Sequence, residues 1–413
     1  MLLRPLAFFL TIASAVLLAP AAEQEGAFAS GHQQNLFAEL LGKTNIETQA
    51  KLDAAWQQLF YGDDHTQRIY YPVGLDLAYI ADIDSKDVRS EGMSYGMMIA
   101  VQMGRRAEFD RLWKWANTYM RHASGPGAGY FAWHCGFDGT MLDPSTASDG
   151  EEWFAMALLF ASHRWGDGEG IFNYGAEAQA LLHLMLTKPA TREATAIFNR
   201  KEKQVVFVPN MEANYFTDPS YHLPAFYELW SRWSTDADDR KFWLEAAQAS
   251  RVFFRRVAHP ATGLMPEYAH FDGTPFTENL WGSGKGDFRF DAWRIVANVA
   301  VDYAWFRADP WQVEQSNRLL HFFAAQKPKY MNQYALDGKP LSTLSSTGLS
   351  AMAAVAGLAA DPDLARPFVQ RLWDTSIPSG QFRYYDGMLY FLGLLETSGW
   401  FQIHAPANAA VSH

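Results

Sequence analysis

Twelve helical segments joined by connections of alternating length are the feature that most restricts the fold of this chain. The connections before 106, 175, 239, 310 and 363 are short, as between antiparallel neighbours. Those before 90, 147, 220, 288 and 345 are long and rich in Gly, Pro and aromatic residues. An apolar period of 3.6 residues marks the helical segments, which are 45–61, 90–104, 106–122, 147–166, 175–187, 220–234, 239–258, 288–306, 310–326, 345–359, 363–375 and 384–399, with a shorter candidate at 33–42.

Alternating short and long connections are typical of a ring of helical hairpins whose long loops all lie at one end. Six such hairpins predict an all-α fold, an (α/α)6 barrel of twelve helices with long loops at one rim. The inner helices should be small and apolar, as in GMSYGMMIAVQMG, EEWFAMALLFASHRWG and GLSAMAAVAGLAA. An open superhelix is the alternative, but the sequence has no repeated motif at a fixed period. Short strands are expected within loops at 69–74 and 204–209.

The N-terminal residues have the pattern of a secretory signal peptide. Arg4 precedes an apolar run of about fifteen residues that ends in the small-residue stretch Ala19-Pro20-Ala21. This run is shorter than a membrane-spanning helix, and no later segment is long and apolar enough to span a bilayer. We therefore expect residues 1–22 to be a signal peptide, residues 23–413 to form one domain, and the mature protein to be periplasmic or extracellular.

Composition excludes several classes of partner. The net charge of −11 argues against nucleic acid or an anionic membrane. Cys135 is the only cysteine, so an intramolecular disulfide is impossible. His134-Cys135 is not followed by a second ligand pair at metal spacing, so neither a metal nor another cofactor is expected.

Aromatic residues make up 15% of the chain, which suits a cleft that stacks sugar rings. We expect a monomer.

The residues that follow the long loops should converge on one rim of the barrel. A carboxylate at a helix start is a weak signal, because Asp and Glu are common there. Three carboxylates with several tyrosines are a stronger signal, because glycosidic bond cleavage needs one carboxylic acid to protonate the leaving oxygen and one carboxylate to activate water. These rim residues are Glu91 in SEGMSYG, Asp149 in ASDGEEWFA, Tyr221 in FTDPSYHLPAFYE, Asp291 in FRFDAWRIVANVAVDYAW, and Tyr384 and Tyr385 in RYYDGMLYFLGLL.

At these residues the chain resembles glycoside hydrolase family 8, inverting β-1,4-glycanases built on an (α/α)6 barrel. The resemblance extends from SEGMSYGMMIA to YYDGMLYFLGLLETSG and covers nearly the whole mature chain. It implies that Glu91 is the general acid, that Asp291 in FDAWR is the general base, and that Asp149 grips the sugar at the cleavage point. One branch, the chitosanases, has asparagine in place of this base, and the chain is unlike that branch because it keeps Asp291.

Within this family, GYFAWHC, TDPSYHLPAFYE and RYYDG are most similar to the xylan-acting members. That similarity implies a substrate-binding set in which Trp133 stacks a xylose ring, Tyr221 holds the attacking water, Arg294 keeps the base ionised, and Phe290 and Tyr385 line the cleft. Structural interpretations stay open at three places: an Asp291–Arg294 ion pair, core packing of Trp133, and first-turn helix charges at Glu151 and Glu152. Tyr215 is the alternative to Tyr221 as the residue that holds the water.

The sequence thus predicts an inverting hydrolase of β-1,4-xylosidic bonds in xylan or xylo-oligosaccharides. An endo-β-1,4-glucanase acting on cellulose or mixed-linkage glucan is the alternative enzyme. A non-catalytic sugar-binding protein would have lost the acid or the base, and this chain has lost neither. In the family that the chain resembles, the members that release the reducing-end xylose block the cleft with a loop that bears a histidine. The segment LSTLSSTGLS at 341–350 has no histidine, which favours an open cleft unless another loop supplies the block.

Overall fold

The structure is a computed structural model that describes residues 25–280, 282–327 and 329–407. The expected signal peptide at residues 1–22 lies outside this part of the chain. None of the helices within these ranges is long and apolar enough to cross a bilayer.

Helices make up most of the described chain. Two short ones come first, α1 Ala27–Ser30 and α2 Leu36–Leu41. Each of the next twelve helices in the described ranges overlaps one predicted segment. They are α3 Asn45–Tyr61, α4 Ser90–Gln102, α5 Arg106–Trp115, α6 Ser148–Trp165, α7 Tyr174–Thr187, α8 Pro224–Trp233, α9 Ala237–Val257, α10 Ala292–Phe306, α11 Trp311–Ala325, α12 Thr347–Val355, α13 Pro362–Asp374 and α14 Arg383–Thr397. The predicted (α/α)6 barrel is confirmed.

Burial separates the twelve helices into an inner and an outer ring. Every residue of α4 is buried except Glu91, whereas α5 buries only one apolar stripe. The same alternation assigns α4, α6, α8, α10, α12 and α14 to the inner ring. The ring closes where α14 packs against α4. A Cβ atom on Gly92 would come within 2.6 Å of the Tyr384 ring, so glycine is required for this contact.

Three predicted helix boundaries differ from the structure for local reasons. Segment 106–122 is α-helical only to Trp115 and continues as a π-helical turn, Ala116–Met120. The start of segment 220–234 overlaps a 3₁₀ turn, Pro219–Tyr221, and a separate helix α8 starts at Pro224, whose ring cannot continue an existing helix. Segment 288–306 becomes helical only at Ala292, because Phe290 has a positive φ of 30°.

Short strands lie in the loops. The predicted strand at 69–74 is β1 Tyr70–Val73, which pairs with β2 Leu77–Ile80. A three-stranded sheet, which the sequence did not predict, joins β3 Val88–Arg89, β4 His134–Cys135 and β5 Met141–Asp143. Of the segment 204–209, only β7 Gln204–Val205 forms a strand, paired with β6 Phe198–Asn199. Because β3 leads directly into α4, the three-stranded sheet ties the start of that helix to the loop that carries Trp133.

The two ends of the barrel differ. The six inner helices all begin at one end, where the long loops lie. At the other end, the ring of Phe401 stacks on Trp305 with centroids 5.5 Å apart, and the backbone at Gly26 packs against the Trp305 carbonyl. Segments near both ends of the described chain therefore cover this end of the barrel, and we expect a substrate site at the end where the inner helices begin.

Candidate active site

The first turns of the inner helices bring the predicted site residues together. Glu91 and Asp149 are the second residues of α4 and α6, and Asp291 is the N-cap of α10. Tyr221 closes the 3₁₀ turn that precedes α8. Because these helices point the same way, their positive dipole ends also converge on this rim and favour negative charge there.

Arg294, in the first turn of α10, stands at the centre of this cluster. Its Nη1 lies 2.8 Å from Glu91 Oε2 and 3.0 Å from Asp149 Oδ2, and it donates to Tyr95 Oη at 2.8 Å. Its Nη2 lies 2.9 Å from Asp291 Oδ1. The expected Asp291–Arg294 pair is present, but the same guanidinium serves the two other carboxylates as well. The ion pair is therefore one part of a shared network.

Asp218 is a fourth carboxylate that the sequence analysis missed. It is fully buried, and its Oδ1 accepts the Ser220 backbone N–H at 2.6 Å. Its Oδ2 stands 3.9 Å from Arg294 Nη2 and has no hydrogen-bond partner in the described part of the chain. Burial, and then the negative charge of Asp291, raises its pKa well above the ordinary value. Its place three residues before Tyr221 was the available signal, but an aspartate before proline is also a common turn residue.

Glu91 has the protonation behaviour of a general acid. Burial raises its pKa to about 7, and the negative charges of Asp149 and Asp291 act in the same direction, whereas Arg294 opposes them. The Tyr384 hydroxyl donates to Glu91 Oε1 at 3.0 Å. A carboxyl group with this pKa keeps its proton in mildly acidic solution and can deliver it to a leaving oxygen.

Asp291 is the most accessible of the four carboxylates. Its side chain is 24% exposed, against 16% for Glu91, and the other two are nearly inaccessible. Phe290, directly before it, has a φ of 30°, which is strained for a residue with a side chain. The Tyr385 hydroxyl donates to the Phe290 carbonyl at 3.2 Å and holds this backbone. The strained turn therefore directly precedes the most accessible carboxylate of the cluster.

Tyr221, rather than Tyr215, lies among the carboxylates. Its ring stacks on Phe207 at 5.7 Å and lies 5.5 Å from the Arg294 guanidinium. Burial raises the pKa of its hydroxyl, and nearby carboxylates, Asp149 first, raise it further, so this group stays a hydrogen-bond donor. Tyr215 is 42% exposed and donates to Glu278 at 2.9 Å.

Aromatic side chains lie beside the charged cluster. Trp133 is only half-buried, which leaves part of its ring accessible to a ligand, and the Arg89 guanidinium lies 5.7 Å from it. The Ser90 backbone N–H donates to the Trp133 carbonyl at 3.0 Å, so this ring is fixed relative to the start of α4. Phe290 is 44% exposed at the same rim. These positions suit stacking against sugar rings.

Glu151 and Glu152 differ from the expectation of first-turn helix charges. Both are fully buried, and burial raises the pKa of each well above its ordinary value. Glu151 Oε1 accepts the Phe131 backbone N–H at 2.8 Å. A helix N-terminus favours acids whether they face solvent or the interior, so the position of these two residues near the start of α6 did not reveal their burial.

His134 and Cys135 have separate partners. His134 Nε2 lies 2.9 Å from Asp87 Oδ2, and the Cys135 thiol is buried against the Tyr119 carbonyl. Across the described ranges, no group of three or more His, Cys, Asp or Glu side chains is arranged to hold a metal ion.

Comparison with known proteins identifies the family of the chain. The sequence model of Glycosyl hydrolases family 8 matches residues 80–399. The chain is 49% identical to reducing-end xylose-releasing exo-oligoxylanase Rex8A of Paenibacillus barcinonensis, over 92% of this chain and 99% of the relative. It is 45% identical to the reducing end xylose-releasing exo-oligoxylanase of Halalkalibacterium halodurans, over 94% and 99% of the two chains.

A solved structure extends the similarity to three dimensions. The catalytic mutant of a xylanase from Teredinibacter turnerae, in complex with xylohexaose, superposes with a TM-score of 0.89. The two proteins are 47% identical, and the match covers 92% of this chain and 100% of the other. With a family match across most of its length and long relatives at this identity, the chain belongs to glycosyl hydrolase family 8.

Proposed function

We propose that this protein hydrolyses β-1,4-xylosidic bonds in xylan or xylo-oligosaccharides with inversion, using Glu91 as general acid and Asp291 as general base. The observation that carries this assignment is the pair of carboxylates on the two terminal nitrogens of Arg294. One has a pKa raised to about 7, and the other is the most accessible of the cluster. An acid and a base with different environments are what single-displacement cleavage requires.

In the proposed reaction, the Glu91 proton goes to the glycosidic oxygen as the bond from that oxygen to the anomeric carbon breaks. A water molecule attacks the same carbon from the opposite face and gives its proton to Asp291. One carboxyl group becomes charged while the other becomes neutral, and Arg294 contacts both. The total charge around the guanidinium therefore stays constant, which limits electrostatic reorganisation during the step.

Asp149 and Tyr221 would position the two reactants. Asp149 Oδ2 is held by Arg294 at 3.0 Å, and its Oδ1 accepts the Gly150 backbone N–H at 2.9 Å, so the side chain is fixed at the rim for contact with a sugar hydroxyl. The Tyr221 hydroxyl, kept protonated by burial and the neighbouring negative charges, would donate to the water that Asp291 activates.

Xylose rather than glucose as the sugar is supported by the two relatives at 45–49% identity, which are named for xylose release. A parallel assay of xylohexaose, cellohexaose and a chitosan hexamer tests this. We expect xylohexaose to be cleaved at least about tenfold faster than either other substrate, a discrimination of about 1.4 kcal/mol. Faster turnover of cellohexaose would reassign the protein as an endo-β-1,4-glucanase.

Two cleavage modes have separate support. The names of the two relatives favour release of xylose from the reducing end. The absence of histidine from 341–350 favours an open cleft and internal cleavage, and Leu341 and Leu344 of this segment are exposed. The first products from xylohexaose separate the modes, because reducing-end action gives xylose and xylopentaose whereas internal cleavage gives xylobiose to xylotetraose.

Export and a monomeric state are further parts of the proposal. The apolar run after Arg4 and the Ala19-Pro20-Ala21 stretch support removal of residues 1–22 during secretion. N-terminal sequencing of protein recovered from the periplasm or medium tests this cleavage. Size-exclusion chromatography with light scattering tests the oligomeric state of the same material.

A further inference from the structure

We propose that Glu152 is a protonated carboxylic acid in the folded enzyme and that it positions Tyr221 through the hydroxyl of Tyr227. The claim that Glu152 positions Tyr221 rests on the proposed role of Tyr221 in holding the attacking water. The claim that Glu152 is protonated concerns the free protein and needs no substrate.

The hydrogen-bond geometry requires one more proton than an ionised Glu152 would supply. The Tyr227 oxygen lies 2.5 Å from Glu152 Oε1 and 3.0 Å from the Tyr221 carbonyl oxygen. A tyrosine hydroxyl carries a single hydrogen and can donate to only one of them. If Glu152 is protonated, it donates to Tyr227, and Tyr227 donates to the Tyr221 carbonyl, so both short contacts are hydrogen bonds.

The surroundings of Glu152 also favour the neutral form. Glu152 and Tyr227 are fully buried, and Glu152 Oε2 has no hydrogen-bond partner within the described chain. Burial raises its pKa, and the negative charges of Asp149 and Glu151 add to this, against the Tyr227 hydrogen bond and the more distant Arg294. An isolated buried carboxylate is costly, whereas a carboxylic acid with one good donor bond is not.

The bonded series links two parts of the site. Glu152 lies three residues after Asp149, the expected sugar-holding residue, on the same helix α6. Tyr227 belongs to α8, and its bond fixes the backbone of the residue expected to hold the water. The distance between the sugar-holding and water-holding groups is therefore set by one neutral acid and one hydroxyl.

Infrared difference spectroscopy tests the protonation directly. A protonated carboxyl group has a carbonyl-stretch band above the amide I region, and this band shifts in D2O. An ionised carboxylate has no band in that region. At pH 7 we expect the spectrum of the parent minus that of Glu152→Gln to contain this band. The matched control is Glu177→Gln, because Glu177 Oε2 is paired with Arg121 Nη1 at 2.7 Å, and its difference spectrum should lack the band. A Glu152 difference spectrum without the band would overturn the proposal.

Kinetics test the positioning. Tyr227→Phe and Glu152→Met should each lower kcat at least about tenfold with KM within about twofold of the parent, because the bound sugar is still held but the water is not. Glu152→Gln, whose amide can donate to Tyr227, should recover at least half of the parental kcat. Parental kcat in Tyr227→Phe, or a change confined to KM, would contradict the positioning role. Inactivity of the parent towards xylo-oligosaccharides would instead count against the proposed function, and the infrared result would stand.

Discussion

Two buried arginines, Arg251 and Arg294, are surrounded by carboxylates in very different numbers. Arg251 donates from Nε and Nη2 to the two oxygens of Asp302 at 2.8 and 2.7 Å, and from Nη1 to Glu228 at 2.7 Å. Arg232 also lies 2.6 Å from Glu228, so two positive charges meet two negative charges. Arg294 alone faces four carboxylates, and its Nε and Nη2 lack a hydrogen-bond partner in the described chain, so the Nη2 contact with Asp291 is an ion pair only.

This difference in charge balance separates a structural network around Arg251 from the proposed catalytic cluster around Arg294. Burial alone would raise the pKa of Glu228, but hydrogen bonds from Arg251 and Arg232 bring it below the ordinary value. Glu91 also contacts a buried arginine, yet burial and its acidic neighbours hold its pKa at about 7. The number of acids that share each arginine therefore decides whether the pKa of a buried glutamate is lowered or raised, and a raised pKa suits the proton donor proposed for Glu91.

A substitution in the charge-balanced network around Arg251 should have the largest effect, and this effect should be a loss of stability. Asp302→Ala leaves Arg251 buried and short of one partner, which should cost about 3–5 kcal/mol of unfolding free energy. Urea unfolding followed by fluorescence measures this loss. The variant should keep the parental kcat in the fraction that is folded, and a lowered kcat with unchanged stability would remove the distinction between the two regions.

Substitutions in the acid-rich cluster around Arg294 should lower the rate of hydrolysis. Glu91→Gln and Asp291→Asn should each reduce xylohexaose hydrolysis at least a hundredfold, about 2.7 kcal/mol of transition-state stabilisation, because each removes one half of the proton transfer. Initial rates and the urea midpoint should be measured on the same preparations. The midpoint should not fall at pH 7, since Asp291→Asn lowers the negative charge of the cluster and Glu91→Gln replaces a group that is ionised only in part at this pH.

Tyr221→Phe should have a smaller effect on rate. Loss of the donor to the attacking water should slow hydrolysis more than about tenfold while oligosaccharide affinity stays nearly unchanged. A stopped assay gives kcat. Calorimetry gives the oligosaccharide affinity, measured in the Glu91→Gln background with and without Tyr221→Phe. A normal rate would shift the role to another group at the rim, and Tyr215→Phe is the matched control.

The pH dependence of stability should have opposite signs in the two regions. Glu91 has a folded pKa of about 7 against an ordinary value of 4.5, so its contribution is lost as pH rises between those values. Glu91→Gln should therefore gain stability relative to the parent between pH 5 and pH 7. Glu228 has a lowered pKa, so its contribution is lost in acid, and Glu228→Gln should be more destabilised at pH 7 than at pH 4. Urea unfolding at these pH values checks both slopes.

The sequence was sufficient for features that depend on local pattern. The period of apolar residues located the twelve barrel helices, and Glu91, Asp149 and Asp291 were found because each begins an inner helix. The charge surplus around Arg294 was not predictable, because Asp218 reaches it through the path of a long loop. The burial of Glu152 depends on packing against Tyr227 of another helix, which no local pattern encodes.

The proposed roles of Glu91 and Asp291 also determine the stereochemistry of the product. If Glu91 and Asp291 act from opposite faces of the bond, water must fit between the base and the sugar, and no covalent sugar–enzyme adduct forms. Proton NMR of xylohexaose during the first minutes of hydrolysis shows which anomer of the new reducing end appears before mutarotation. We expect the α-anomer to appear first. The β-anomer first would mean retention, and Asp291 would then be a nucleophile rather than the base.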